Sequence, residues 1–142
     1  MFLYADDLKI VGVIKDINDC FALQRDIINF TRYSRQNKLK VNHKKCFSMT
    51  FSRKENPITY EYTVDGVVIK NCTEIRDLGV ILDSSLSFVP HVNKICNDAY
   101  KSLGLIKRNT SSFKNVDCFI TLFNSLVRPK LEYCSNVWYP FY

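Results

Sequence analysis

The stretch FLYADDLKI, residues 2 to 10, constrains the fold more than any other part of the sequence. Two runs of β-forming residues flank Ala5-Asp6-Asp7, and aspartate suits tight turns, so the spacing predicts a β-hairpin. Two adjacent carboxylates repel unless a cation lies between them. A divalent metal such as magnesium meets that need with a few carboxylate oxygens, waters and phosphate oxygens. A rigid hairpin tip that presents both groups suits two-metal phosphoryl transfer, in which one ion activates a hydroxyl and the other stabilises the departing pyrophosphate. Such a cage ordinarily takes a further carboxylate from another strand. The plainer reading of any Asp-Asp pair is a solvated turn.

Beyond the hairpin the pattern changes period. Asp16 offers an N-cap, and Cys20, Leu23, Ile27 and Phe30 follow at helical spacing up to about Gln36-Asn37. In CFSMTFSR, Phe47, Met49 and Phe51 alternate with polar residues, as in a half-buried strand. Asp65-Gly66 between β-formers signals a second hairpin, and IRDLGVILD reads as a further strand. After that the pattern is helical. Ser87 can cap a helix striped by Val92, Ile95, Cys96, Ala99, Leu103 and Ile106, with Gly104 as a mild defect. Asn115 can cap another, with Phe119, Leu122, Phe123 and Leu126 inward, and Pro129 can open a fourth at its first position. The order implies an α+β class, with a mixed unit over residues 1–87 and a helical unit over 88–142. The chain closes on the aromatic residues Trp138, Tyr139, Phe141 and Tyr142.

Composition narrows the function. The 142 residues carry a net charge of +6, spread unevenly. Residues 31–54 hold eight cations and no acids, enough to suggest a polyanionic partner, although a solvated surface explains the same block. No apolar run is long enough for a membrane span, and the first residues lack the layout of a signal peptide. An unsecreted protein in nucleus or cytoplasm is expected, without a membrane partner. Its six dispersed cysteines are then reduced core residues, and its two histidines have no partner at zinc-ligand spacing.

YADD between hydrophobic strands resembles the catalytic hairpin of reverse transcriptases. The segments that follow resemble the non-LTR, LINE-like branch of that family. They are NKLKVNHKKCFSMTFSRK, IRDLGVILDSSLSFVPHV (which resembles the family's next hairpin and the entry to its thumb), AYKSLGLIKRN and LVRPKLEYCSNVWYP, in order across nearly the whole chain. The resemblance implies an RNA-directed DNA polymerase shaped as a right hand, with 1–87 the C-terminal part of the palm and 88–142 a partial helical thumb. It implies an RNA template, a DNA primer, a dNTP, and magnesium or manganese.

By that resemblance Asp6 binds metal, with Asp7 as its neighbour, and Tyr4 and Ala5 lie along the primer and template side of the tip. Lys45 is placed near the leaving pyrophosphate as acid or charge stabiliser, with Lys44 beside it. Leu78 and Gly79 correspond to the region that grips the primer, where the plainer reading is a core leucine and a bulge glycine. Lys94, Lys101, Lys107 and Arg108 would track the duplex backbone. His91 reads as packing or capping. The resemblance also implies fingers and a first palm half ahead of residue 1, with the remaining essential aspartate. The chain alone is therefore expected to be inactive. The alternative is a non-catalytic nucleic-acid-binding remnant of a transposable element, held to its partner by the basic block and the basic thumb.

Overall fold

The computed structural model describes residues 1–52, 54–112 and 115–139, which fold as two units, Met1–Thr73 and Glu74–Tyr142. Both mix helix with small sheets, in keeping with an α+β class. The boundary at residue 87 follows from the order of elements in the sequence, and its palm and thumb names from the family resemblance; the compact units divide between Thr73 and Glu74.

The first unit opens with the expected hairpin. β1 (Phe2–Tyr4) pairs antiparallel with β2 (Asp7–Lys9), and Tyr4 faces Asp7 across the ladder. α1 (Ile17–Gln36) starts at the expected cap. The Asp16 carboxylate accepts from the Asn18 and Asp19 amides, and the Asp19 carboxylate accepts from the Asp16 amide in return. This reciprocal box satisfies N–H groups that a helix start otherwise leaves unpaired. Cys20 and Ile27 are buried and Leu23 and Phe30 half-buried, so the predicted stripe is the packing face.

The helix ends as a Schellman motif. The Lys38 amide donates to Arg35 O at 3.1 Å and the Leu39 amide to Ser34 O at 2.9 Å, while Lys38 takes φ +58°.

β4 (Thr63–Val64) and β5 (Val67–Val68) form the Asp65-Gly66 hairpin, whose two turn residues both have positive φ, +52° and +79°. A primed turn of this kind matches the twist of the strands. α1 packs on β4 through Gln24. Its amide donates to Thr63 O at 2.9 Å and accepts from Thr63 N at 2.8 Å, acting as a third strand for that residue.

The strand expected over CFSMTFSR is only β3 (Phe47–Ser48), paired parallel with β6 (Lys70–Asn71). Phe47 and Phe51 are exposed rather than inward. A strand buries alternate residues only where a second layer covers it. Of the six cysteines, all free, only Cys20 is buried; the others are half-buried.

In the second unit IRDLGVILD is not one strand but a hairpin, β7 (Glu74–Asp77) and β8 (Val80–Asp83), turning at Leu78-Gly79 with φ +44° and +90°. Leu78 is therefore a turn residue, 43% exposed, and Gly79 is no bulge. α2 (Val89–Asn109) follows. Phe88, not Ser87, is its N-cap residue, at φ +56° and without a side-chain cap. Asp83 organises the entry instead. Its carboxylate accepts from the Ser85 hydroxyl and from the Ser85, Ser87 and Phe88 amides, and these bonds hold it well below the usual carboxylate range. Ser87 still contributes, because its hydroxyl accepts from the Val89 amide.

α3 (Val116–Leu126) is capped by Asn115 as expected, and α4 (Arg128–Glu132) carries Pro129 in its first turn. α5 (Ser135–Trp138) is a single turn. The core joins Ala99 and Ile106 of α2 to Val127, with Phe119, Leu122 and Leu131 packed around them. Val92 and Leu103 of the predicted stripe are partly exposed. Phe141 and Tyr142 lie outside the described residues.

Candidate nucleic-acid interface

Asp6 and Asp7, read from the resemblance as catalytic, lie at the turn of the β1–β2 hairpin. Ala5 turns the chain at φ +51°, a region that costs an L-residue roughly 1–2 kcal/mol. Asp6 sits at the turn beside it and Asp7 already on β2, both exposed. Residues opposite each other in a ladder share a face, so Asp7 lies on the face of Tyr4, Phe2 and Lys9, with Leu3 and Leu8 on the other. Tyr4 is 65% exposed and Phe2 and Leu3 similarly open.

Two carboxylates from one turn supply only part of a divalent-metal cage. Among the described residues no group of three or more His, Cys, Asp or Glu stands close enough to hold a metal ion. Asp6 and Asp7 by themselves do not complete a metal site.

The basic block is distributed over several elements. Arg32 and Arg35 lie in the last turns of α1, Lys38 in its C-terminal cap, Lys40 beyond it, and Lys44 and Lys45 on a 3-10 turn, His43–Lys45. All are exposed. Asn42 starts that turn by accepting from the Lys44 amide at 3.1 Å. Arg53 lies outside the described residues. One cation of the block is partly balanced. Arg35 Nη2 meets Asp65 Oδ1 at 2.6 Å, and His43 Nε2 lies 3.2 Å from the other oxygen of the same carboxylate. The turn of the β4–β5 hairpin is thereby tied to the end of α1.

The second unit carries an open groove of about 570 Å³ lined by Arg76, Leu78, Gly79, His91, Lys94 and Lys130, among others. Three residues read from sequence as primer contacts, Leu78, Gly79 and Lys94, meet here. Arg76 and Lys130 were not read from sequence. Arg76 was hidden in a presumed continuous strand and Lys130 in the first turn of a short helix, and only the tertiary fold brings them to one wall.

Gly79 is at the centre of this wall. A Cβ on it would stand 2.9 Å from Tyr133 Cε1, and the Tyr133 hydroxyl donates to Leu78 O at 3.0 Å. The close approach at this glycine is made by an aromatic ring of the chain itself. Asp98 is the one acid on the groove wall. Lys94 Nζ is 2.9 Å and Lys101 Nζ 3.5 Å from its carboxylate, and the Lys94 hydrogen bond holds the acid below its ordinary range. Lys130 Nζ donates to the Ser102 hydroxyl at 2.6 Å. Three cations against one acid leave the groove positive. Lys107 and Arg108 do not line it; they stand exposed in the last turn of α2, where cations suit the helix dipole.

His91 is packed as expected. It is 2% exposed, its Nδ1 accepts from the Ile81 amide at 3.3 Å, and its ring meets that of Trp138 edge-on at 5.5 Å. Burial pushes its pKa down, which keeps the ring neutral at neutral pH. Among the described residues no helix is long and apolar enough to cross a membrane.

No protein-family model and no solved structure matches the chain. Curated relatives do. It is 24% identical over 139 residues to the probable RNA-directed DNA polymerase from transposon BS of Drosophila melanogaster. It is 27% identical over 143 residues to the RNA-directed DNA polymerase from mobile element jockey of Drosophila funebris, and 25% identical over 141 residues to that of Drosophila melanogaster. Each match takes in 95% of this chain and 15% of the relative, so the chain spans about a seventh of their length. The resemblance carried by the YADD hairpin and the segments after it thus extends to three RNA-directed DNA polymerases of mobile elements, over nearly the whole of this chain.

Proposed function

We propose that this chain is part of an RNA-directed DNA polymerase of the non-LTR kind, with residues 1–87 in the palm and 88–142 in the thumb. The groove of the second unit holds a strand of an RNA–DNA hybrid by its backbone. The observation that supports this best is the meeting of Leu78, Gly79 and Lys94 on one positive wall with Arg76 and Lys130. Cations at a groove position a nucleic acid without reading its sequence.

In the intact polymerase Asp6 and Asp7 would hold part of a magnesium site, completed by a further carboxylate, and such an ion would supply charge stabilisation for nucleotide transfer. Lys45 and Lys44 stand as charge stabilisers, Tyr4 and Ala5 beside the primer end. Lys101, Lys107 and Arg108 add backbone attraction further along α2.

The chain by itself binds and does not polymerise. The incomplete donor set at the hairpin supports that second, non-catalytic half of the reading. Fluorescence anisotropy with a labelled RNA–DNA hybrid tests the proposal. Binding should be indifferent to sequence and fall with salt. Each neutralised phosphate contact contributes about 0.9 to the slope of log affinity against log salt. The triple variant Arg76→Gln, Lys94→Gln, Lys130→Gln should flatten the slope by about 2–3. A wild-type chain that ignores the hybrid, or a triple variant that binds as wild type does, rules the groove out.

A further inference from the structure

We propose that Asp98 is a brake on the hold of the groove: its carboxylate occupies Lys94 in the free chain and competes with the backbone of the bound strand for that cation. The inference rests on the reading of the groove as a nucleic-acid site and goes beyond it by assigning a residue that limits affinity there.

The acid stands among cations. Of the described residues that line the groove Asp98 is the one acid, beside Arg76, Lys94 and Lys130. Its two oxygens are divided between lysines of the same helix. Oδ2 accepts from Lys94 Nζ at 2.9 Å, one turn back along α2, and Oδ1 lies 3.5 Å from Lys101 Nζ, one turn on. Lys130 reaches the same stretch of helix from α4, where it donates to the Ser102 hydroxyl, a partner without charge. Lys94 is thus a groove cation already paired inside the chain.

This pair is placed to exchange. The Lys94 and Asp98 side chains keep 46% and 36% of their surface open. Exposed ion pairs hold weakly, so a phosphate can take the place of the carboxylate. The acid stays charged, because the Lys94 hydrogen bond holds its carboxyl below the ordinary range. It also stays in place, fixed to the helix one turn from the lysine. A strand in the groove therefore takes Lys94 from an internal partner and then faces that partner's negative charge. Both effects lower affinity. A strand that must advance through a polymerase is served by a hold that gives way, and charge contacts to the backbone allow sliding.

A carboxylate beside a lysine can instead aid binding, by holding the ammonium where the phosphate arrives. The two roles have opposite signs. As a brake, Asp98 predicts that Asp98→Asn tightens hybrid binding roughly threefold at low salt, the effect of one unit charge about 7 Å away in water. The salt slope should steepen by up to about 0.9, since one more phosphate contact releases its counterion. The gain should fade as salt screens the charge. Asp98→Ala should act as Asp98→Asn does, and Asp98→Glu, which keeps the acid, should stay within about twofold of wild type. As a positioning group, Asp98 predicts looser binding in the first two variants.

Fluorescence anisotropy of the whole chain with a labelled mixed-sequence RNA–DNA hybrid reads these differences. Glu132→Gln is the control, because it removes an equal charge from a carboxylate that pairs with Arg128 at 2.7 Å. It should change binding less than Asp98→Asn. A double-mutant cycle isolates the competition itself. Lys94→Gln should cost about threefold more in the Asp98→Asn background than in wild type, because only there is the lysine released to the strand.

Three results overturn the proposal. In the first, the hybrid binds and the triple groove variant weakens it, but Asp98→Asn and Asp98→Ala bind no more tightly than wild type; the brake falls and the groove reading stands. In the second, Glu132→Gln gains as much as Asp98→Asn, and the effect belongs to the net charge of the chain. In the third, the wild-type chain ignores the hybrid or the triple variant binds as wild type does, and the groove reading falls together with this inference.

Discussion

Replacing Gly79 with alanine tests the architecture of the second unit at its tightest point. The residue has φ +90°, which an L-side chain tolerates poorly, at a cost of about 1–2 kcal/mol. The new Cβ would also stand 2.9 Å from the Tyr133 ring, closer than packed atoms approach. Relief of that contact displaces a ring whose hydroxyl is bonded to Leu78 O, and overpacking of this kind costs about 1–3 kcal/mol. A less flexible unfolded chain returns up to about 1 kcal/mol.

The net loss is therefore about 1–5 kcal/mol. Trp138, the single tryptophan, belongs to the second unit, so its fluorescence in a urea titration reports on that unit. A double-mutant cycle separates the two causes. In a Tyr133→Ala background the clash is gone, and Gly79→Ala should cost only the backbone part, about 1 kcal/mol. Equal costs in the two backgrounds would refute the contact between the ring and the glycine. No cost in either would refute the left-handed turn as well.

Other outcomes follow from single contacts. Gln24→Ala should cost about 1–3 kcal/mol, because it strips the Thr63 amide and carbonyl of their partner; hydrogen exchange at the Thr63 amide should quicken accordingly. Gly104→Ala should stabilise the chain by up to about 1 kcal/mol in thermal unfolding, since it lies inside α2 and a Cβ there meets only Arg108 Nη1, at 3.6 Å. The second unit should weaken in acid in two stages, read from urea midpoints by Trp138 fluorescence. Burial holds His91 below its ordinary 6.5, so the unfolded chain takes up that proton first and stability falls as pH drops through 6.5. Asp83 is held below its ordinary 3.8 by its bonds to Ser85, Ser87 and Phe88, so its contribution is complete above 3.8 and lost below it. A midpoint unchanged from pH 8 to pH 5 would contradict the burial of His91.

What was legible in the sequence was local. Asp16 and Asn115 cap helices because their short acceptors reach amides two and three residues on, and both were readable as caps. Asp65-Gly66 named its turn because both residues tolerate positive φ. Leu78-Gly79 did not, because leucine is no turn former, and a lone glycine in an apolar run reads as a bulge. Asp83 is hard to see because its carboxylate serves three amides at once across an irregular entry.

The long-range pairings had no local signal. Gln24 reaches Thr63 across 39 residues, and Arg35 finds Asp65 only after α1 and the hairpin have packed. The same holds for the interface. YADD pointed to the family, and the cations of the 31–54 block were plain in the sequence. Arg76 and Lys130 come to one groove only when β7 with its turn and the helices α2, α3 and α4 pack together.

Whether a nucleic acid binds in the proposed groove is the central question, and ultraviolet crosslinking followed by peptide mass spectrometry answers it most directly. A photoreactive RNA–DNA hybrid bound to the whole chain should attach to peptides containing Arg76–Gly79, His91–Lys94 and Pro129–Tyr133, the walls of the groove. Attachment confined to residues 31–54, with those three peptides untouched, would contradict the account and place the binding on the basic block of the first unit.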